Sequence, residues 1–262
     1  MRAAVVGASG RRQVSAASPA AGRGGPDGRE SWQRSAWVQW LAIAVGWLPG
    51  FLVVMIMQGR AGGPLSLREG VWYSTVLGAS MVVVMLLVLR FLCGESIRGL
   101  NQQTGTWRRD ALLGVGLAAV TLGTQVLLAG PVSRLLPSAP DNNLGSVINE
   151  MVASPWAFAL VLGPMLVIGA AVYEELARVF LLTRLWNLSP GRAWRWAAVL
   201  LSAVLFGVVH LYQGPAGAVM AGLSGLLMAA FYLRFGRIAP MMLAHYLHDA
   251  VQFTIIYLIA TS

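Results

Sequence analysis

The sequence predicts an all-α membrane protein, a bundle of about seven transmembrane helices. Hydrophobic residues make up 57% of the 262 residues and charged residues only 11%. An ordinary soluble domain has about 45–50% apolar and about 25% charged residues, so this chain has too little charge to cover a water-exposed surface. Its apolar residues also form continuous runs, which excludes the alternating pattern of a transmembrane β-barrel.

The chain divides into a polar tail and a membrane domain. Residues 1–35 are rich in Gly, Ala, Ser and Arg and cannot bury a core, so they are predicted to be a disordered basic cytoplasmic tail. Residues 36–262 are predicted to be one multi-pass domain. A helix needs about 20 apolar residues to cross the hydrocarbon core. Seven segments approach that length: 36–57, 70–93, 111–132, 155–176, 194–211, 215–233 and 239–260.

Two of the connecting segments have a distinct character. Residues 96–110 are polar and are predicted to be a cytoplasmic loop. Residues 137–154 are too polar to span a bilayer and are predicted to form an interfacial or partly re-entrant helix before the fourth span.

Charge and cysteine content exclude several function classes. All 19 basic side chains are arginines and the net charge is +9. With the many Ala and Gly residues, this indicates a GC-rich coding bias and a bacterial source. The cations form no folded patch, so we expect no nucleic-acid partner; the expected partner is the lipid bilayer. The single cysteine, Cys93, excludes a disulfide framework and a Cys-based zinc site.

Ionisable residues inside the spans are the strongest functional signal. A charge at the centre of a membrane helix costs about 2.5–3.5 kcal/mol, so such residues are kept for a reason. Seven of the ten acids lie in the tail, loops or helix ends. The other three acids and all three histidines fall in three short segments of the second half, 173–178, 206–210 and 245–249.

Each segment holds a pair of residues four positions apart, which places both on one helix face. The pairs are Glu174 with Arg178, Phe206 with His210, and His245 with Asp249. Each pair taken alone is also compatible with helix packing. His248 lies at the edge of the same face as His245 and is predicted to be a packing residue.

Taken together, the three segments resemble the CPBP family, which is named for CAAX proteases and bacteriocin-processing enzymes. It includes type II CAAX prenyl endopeptidases and abortive-infection proteins. The family pattern is a double Glu followed by Arg, then FxxxH, then HxxxN or HxxxD. Here 206–210 matches the second motif and 245–249 the third, in its Asp form. The resemblance places the protease-like core at about 150–255.

The first motif is one residue shorter than the family pattern. Three residues usually separate the second Glu from the Arg, but only two separate Glu175 from Arg178. Alignment on the Arg puts Glu174 at the second Glu position, whereas alignment on the Glu pair matches Glu174 and Glu175 directly. Both glutamates are therefore candidates for the catalytic role, and the spacing of four to Arg178 favours Glu174.

The resemblance implies an intramembrane endopeptidase that hydrolyses a peptide bond of a peptide or protein substrate near the membrane. A glutamate would activate water, His210 and His245 would hold it, Arg178 would position the glutamates, and Asp249 would orient His245 or assist the oxyanion. His210 and His245 could instead ligate Zn²⁺ together with a Glu, leaving one position open. The metal-free and zinc mechanisms are equally open at this point.

Two non-proteolytic alternatives remain. The irregular first motif favours a catalytically inactive scaffold or peptide-binding protein of the same fold. A chain of intramembrane Glu and His also suits a small transporter that relays protons.

Arginine placement predicts the orientation in the cell membrane. With the N-terminus cytoplasmic, 15 arginines fall in inside segments, 3 (Arg60, Arg68 and Arg134) fall outside, and Arg178 lies near the end of the fourth span. This asymmetry follows the positive-inside rule and, with seven spans, predicts an external C-terminus. We expect a reporter fused after Ser262 to behave as external. A cytoplasmic reporter signal would contradict the seven-span topology.

Overall fold

The fold is that of a computed structural model, which describes residues 32–33, 35–58, 66–137 and 143–262. Within these ranges the chain forms eight helices of 11 residues or more and no strand, which confirms the all-α prediction. Most of the predicted tail, residues 1–35, lies outside the described residues. The helices are α1 Ala36–Gln58, α2 Leu67–Leu92, α3 Trp107–Leu135, α4 Asn143–Ala153, α5 Pro155–Leu188, α6 Arg192–Val208, α7 Gly214–Phe235 and α8 Ala239–Thr261.

The number of membrane spans is consistent with about seven. In the part of the chain that the structure describes, five helices are long and apolar enough to cross a membrane: α1, α2, α3, α5 and α7 with its preceding turn. The helices α6 and α8 occupy the other two predicted spans, with 17 and 23 residues. At 1.5 Å per residue they measure about 26 and 34 Å, close to the thickness of the hydrocarbon core.

The helix of the fourth predicted span extends beyond residue 176. Helix α5 continues to Leu188 and has 34 residues. Glu175 and Arg178 form an ion pair inside the bundle, so their charges do not end the helix. Of the fourteen residues from Glu175 to Leu188, eleven are buried, which makes this half of α5 the central element of the fold.

The structure differs slightly from the prediction for the start of the third span, and it agrees with the prediction that the polar segment 137–154 does not span the bilayer. Helix α3 begins at Trp107 rather than 111, because Thr106 caps its first turn by accepting a hydrogen bond from the Arg109 amide. Within the polar segment 137–154 the chain forms the 11-residue helix α4. At about 16 Å it is too short to span, as predicted.

Contacts between distant segments define one end of the bundle. Arg184 near the end of α5 lies 2.5 Å from Glu95, which follows α2. Arg237, just before α8, donates to Asp110 at the beginning of α3, with Nε 3.1 Å from Oδ1. The segments joined by these contacts are those that the predicted topology places on the cytoplasmic side, and they lie together at one end of the bundle. We call this side the arginine-rich end.

Glycines allow two pairs of helices to approach closely. A Cβ on Gly207 of α6 would lie 2.8 Å from the backbone oxygen of Ala218 and 3.5 Å from the Cα of Gly222, both in α7. A Cβ on Gly169 of α5 would lie 2.6 Å from the Cβ of Ser74 in α2. Small residues at such crossings increase van der Waals contact between membrane helices.

The crossing of α6 and α7 predicts a difference between two glycine substitutions. Gly207→Ala forces a Cβ against a backbone oxygen, and such overpacking costs about 1–3 kcal/mol. Gly116→Ala in α3 is the matched control, because a Cβ there has open space around it. Both changes gain about 1 kcal/mol of helix propensity. In detergent unfolding titrations, Gly207→Ala should therefore be about 1–3 kcal/mol less stable than Gly116→Ala, and equal stabilities would contradict the close approach.

Candidate active site

A cavity of about 650 Å³ lies between α5, α6, α7 and α8, and residues of α1 to α4 also line it. Five of the six predicted site residues line it: Glu174, Arg178, His210, His245 and Asp249. The sixth, Glu175, lies behind the cavity wall. The structure thus brings the three sequence segments together in one place. The longer α5 makes this possible, because it places Glu174 in the middle of a helix rather than at its end.

At the wall of the cavity, Arg178 forms a buried two-pronged ion pair with Glu175. Arg178 Nε is 3.0 Å from Glu175 Oε2 and Nη2 is 3.0 Å from Oε1. The Glu175 side chain is 0% exposed and that of Arg178 2%. The guanidinium also donates to the backbone oxygen of Gly225 in α7 at 3.4 Å and lies 4.0 Å from the centre of the Phe206 ring in α6. A paired geometry of this kind offsets part of the cost of removing both charges from water.

His245 connects α8 to this ion pair. Its Nδ1 is 2.7 Å from Glu175 Oε1. Its Nε2 faces the cavity, 3.5 Å from Asp249 Oδ2 and 3.7 Å from Glu174 Oε2. Carboxylates therefore lie next to both ring nitrogens, and they fix the orientation of the imidazole.

Glu174 occupies a different position from its neighbour. Its side chain is 26% exposed, compared with 0% for Glu175. Its Oε2 atom is nonetheless buried and has no hydrogen-bond partner among the described residues. A carboxylate oxygen that is held in a cavity without a donor is positioned to accept a hydrogen bond from a small polar molecule.

His210 lies in the turn after α6, where the helix has ended at Val208. Its Nδ1 is 2.8 Å from the backbone oxygen of Phe206. A carbonyl oxygen only accepts, so Nδ1 carries the hydrogen, and in the neutral ring Nε2 is the free acceptor. The Phe206 ring packs against His210 at 4.5 Å and against His245 at 6.1 Å between ring centres.

The arrangement does not fit the metal centre predicted as one alternative. Among the described residues, no group of three or more His, Cys, Asp or Glu side chains could hold a metal ion. His245 Nδ1 is hydrogen-bonded to Glu175, so only Nε2 of this ring faces the cavity. A zinc site needs at least three protein ligands that converge at about 2.0–2.2 Å. A metal-ligand role for His210 and His245 is therefore not supported.

Sequence reasoning missed three contributions to the site. Phe206 was identified only as part of a motif, but its ring supports Arg178. Gly225 supplies a carbonyl to Arg178, and a Cβ there would lie 2.9 Å from Phe206 and 3.0 Å from Arg178. His248 lines the cavity, 7% exposed, and its Nδ1 has no partner within the described ranges. No local pattern distinguishes Gly225 from the other glycines of the chain.

Comparison with known proteins found a matching family. Residues 155–251 match the model of a family described as type II CAAX prenyl endopeptidase Rce1-like. This region is similar to that family. The match confirms the resemblance predicted from the three motifs, and the matched region contains every predicted site residue. It supports a CAAX-type protease in the membrane. No curated protein and no solved structure matched the chain.

The buried ion pair predicts a specific stability effect. Glu175→Gln keeps the shape of the side chain but leaves Arg178 without its counter-charge, so the variant should lose about 3–5 kcal/mol of unfolding free energy. Unfolding titrations in detergent micelles would measure this loss.

The double variant Glu175→Gln/Arg178→Met is the control. It removes the uncompensated charge, so it should be more stable than Glu175→Gln alone. If the double variant loses as much unfolding free energy as the two single variants together, the two side chains are not coupled.

Proposed function

We propose that this protein is an intramembrane endopeptidase of the CAAX type, which uses Glu174 to activate water. The observation that carries the proposal is the Oε2 atom of Glu174, which is buried, has no hydrogen-bond partner among the described residues, and belongs to a cavity that His210 and His245 also line. The family match of residues 155–251 supports the same reaction class. Peptide hydrolysis inside a membrane needs a polar cavity, a base for water and a stabiliser for the oxyanion, and the site contains groups for each role.

In the proposed mechanism, Glu174 and His210 hold the attacking water between them. Glu174 Oε2 and the free Nε2 of His210 both accept, so each can take one hydrogen of the same water. Glu174 removes a proton as the water oxygen attacks the peptide carbonyl. It then returns that proton to the amine nitrogen when the carbon–nitrogen bond breaks.

His245 and Asp249 are proposed to act on the carbonyl oxygen. Glu175 accepts from Nδ1 of His245, so in the cationic ring Nε2 carries a second hydrogen and donates toward the cavity. That donor can stabilise the developing oxyanion. Asp249, 3.5 Å from the same nitrogen, keeps the ring in place. Arg178 acts indirectly, because it holds Glu175 and therefore His245.

The proposed substrate is a peptide or protein segment at the membrane. Apolar and aromatic side chains such as Trp47, Phe51 and Phe253 line the cavity together with the polar site, which suits a chain with apolar residues next to the cleaved bond. A prenyl group on the substrate is not required by these contacts. The proposed location is a multi-pass position in the cell membrane with the N-terminus cytoplasmic.

The proposal predicts that Glu174→Gln abolishes cleavage without unfolding the protein. The amide keeps the shape but cannot take a proton, so turnover should fall by at least about 10²-fold. Purified protein in lipid vesicles would be assayed with a farnesylated CAAX peptide, the same peptide without the farnesyl group, and a library of apolar peptides. Glu150→Gln, an exposed carboxylate of α4, is the matched control and should cleave at the wild-type rate.

Two results would contradict the proposal. If Glu174→Gln cleaves as fast as the wild type, hydrolysis does not depend on this residue. If the folded wild type cleaves none of the peptides, the scaffold alternative, which the shortened first motif favours, replaces the protease.

A further inference from the structure

A second cavity, of about 640 Å³, lies between the beginning of α6 and the end of α7. Three arginines line it, Arg192 and Arg195 from α6 and Arg234 from α7. Apolar side chains of α7, Ala230 and Leu233, form another part of its wall. We call this cavity the basic pocket. It lies at the arginine-rich end of the bundle, away from the candidate active site.

The arginines of the basic pocket have no acidic partner in the part of the chain that the structure describes. No ion pair between described residues involves Arg192, Arg195 or Arg234. In contrast, Arg184 and Arg237 at the same end each contact a carboxylate. Three like charges around one pocket repel each other, and a bound anion would relieve that repulsion.

Aromatic rings hold two of these guanidinium groups in place. Arg195 Cζ lies 5.7 Å from the centre of the Trp186 ring, which itself stacks on Tyr232 at 5.5 Å. Arg234 Cζ lies 5.2 Å from the centre of the Phe235 ring. Such contacts order the side chains before any ligand arrives, which lowers the entropy lost on binding.

The surroundings of the pocket are those of a membrane surface. Trp194 and Trp196 at the beginning of α6 are 37% and 42% exposed, and tryptophans of this kind concentrate at the headgroup level. One to two turns further along α6, Leu200 and Val204 are 54% and 62% exposed, as expected for residues that contact acyl chains. The pocket therefore lies where a helix passes from headgroups to hydrocarbon.

We propose that the basic pocket binds the phosphate headgroup of an anionic phospholipid. Arg192, Arg195 and Arg234 contact the phosphate oxygens, and Ala230 and Leu233 contact the first part of an acyl chain. Arginine suits this role because its fork of N–H donors matches phosphate oxygens, and basic pockets between membrane helices are typical sites for anionic headgroups. The bound lipid links α6 to α7, the two helices joined by the turn that carries His210.

The full chain in detergent micelles would be titrated with phosphatidylglycerol, and bound lipid counted by native mass spectrometry. The test variant is R192Q/R195Q/R234Q. The matched control is R90Q/R108Q/R109Q, which removes three exposed arginines from the same end outside the pocket. We expect the apparent Kd to rise roughly fivefold per pocket arginine and roughly 100-fold in the test variant. The control should remain near the wild-type value.

Three results would overturn the proposal. Equal weakening in both triple variants would indicate general attraction to a positive surface. Equal binding of zwitterionic phosphatidylcholine would show that the anionic headgroup is not recognised. Displacement of the lipid by an equal concentration of inorganic phosphate would indicate a site for a soluble anion. If the triple variant does not fold, the single variants R192Q, R195Q and R234Q are titrated instead. An unchanged Kd in all three would also overturn the proposal.

Discussion

The buried pair of Glu175 and Arg178 is the interaction on which the rest of the site depends. An uncompensated charge at this depth is strongly unfavourable, so neither residue is tolerated without the other. The other contacts of the pair reach three other helices. Arg178 contacts the Gly225 carbonyl of α7 and the Phe206 ring of α6, and Glu175 contacts His245 of α8. The pair thereby fixes the mutual positions of the helices that form the cavity.

The two adjacent glutamates divide two tasks between them. Neighbouring residues on a helix point about 100° apart, so when Glu175 faces the packed interior, Glu174 faces the cavity. Both oxygens of the Glu175 carboxylate accept hydrogen bonds, whereas Oε2 of Glu174 has no hydrogen-bond partner among the described residues. A buried carboxylate whose oxygens accept hydrogen bonds helps to fix the packing of the helices. A buried carboxylate with an oxygen that accepts none can instead bind and activate water. This contrast connects the packing of α5 to the proposed reaction.

Charge serves a different purpose at each level of the bundle. In the centre of the bundle, Arg178 is paired with Glu175, and this pair positions the side chains that contact it. At the arginine-rich end, Arg184 and Arg237 tie loops to helices, while the basic pocket keeps three guanidinium groups without acidic partners among the described residues. Arg192, Arg195 and Arg234 are exposed, so water can solvate their charges without a protein partner. A protease whose substrates lie in the membrane and whose own surface binds lipid would combine both features in one helix bundle.

The sequence by itself determined the membrane class, the positions of the apolar helices and the candidate residues of the site. These features are local, because hydropathy needs only a window of about 20 residues and the i, i+4 pairs need one turn of helix. Tertiary structure alone decided where α5 ends and which glutamate faces the cavity. It also decided the roles of Phe206 and Gly225. The physical reason is that a charge ends a helix or continues it according to partners on other helices, and those partners lie up to 70 residues away in the chain.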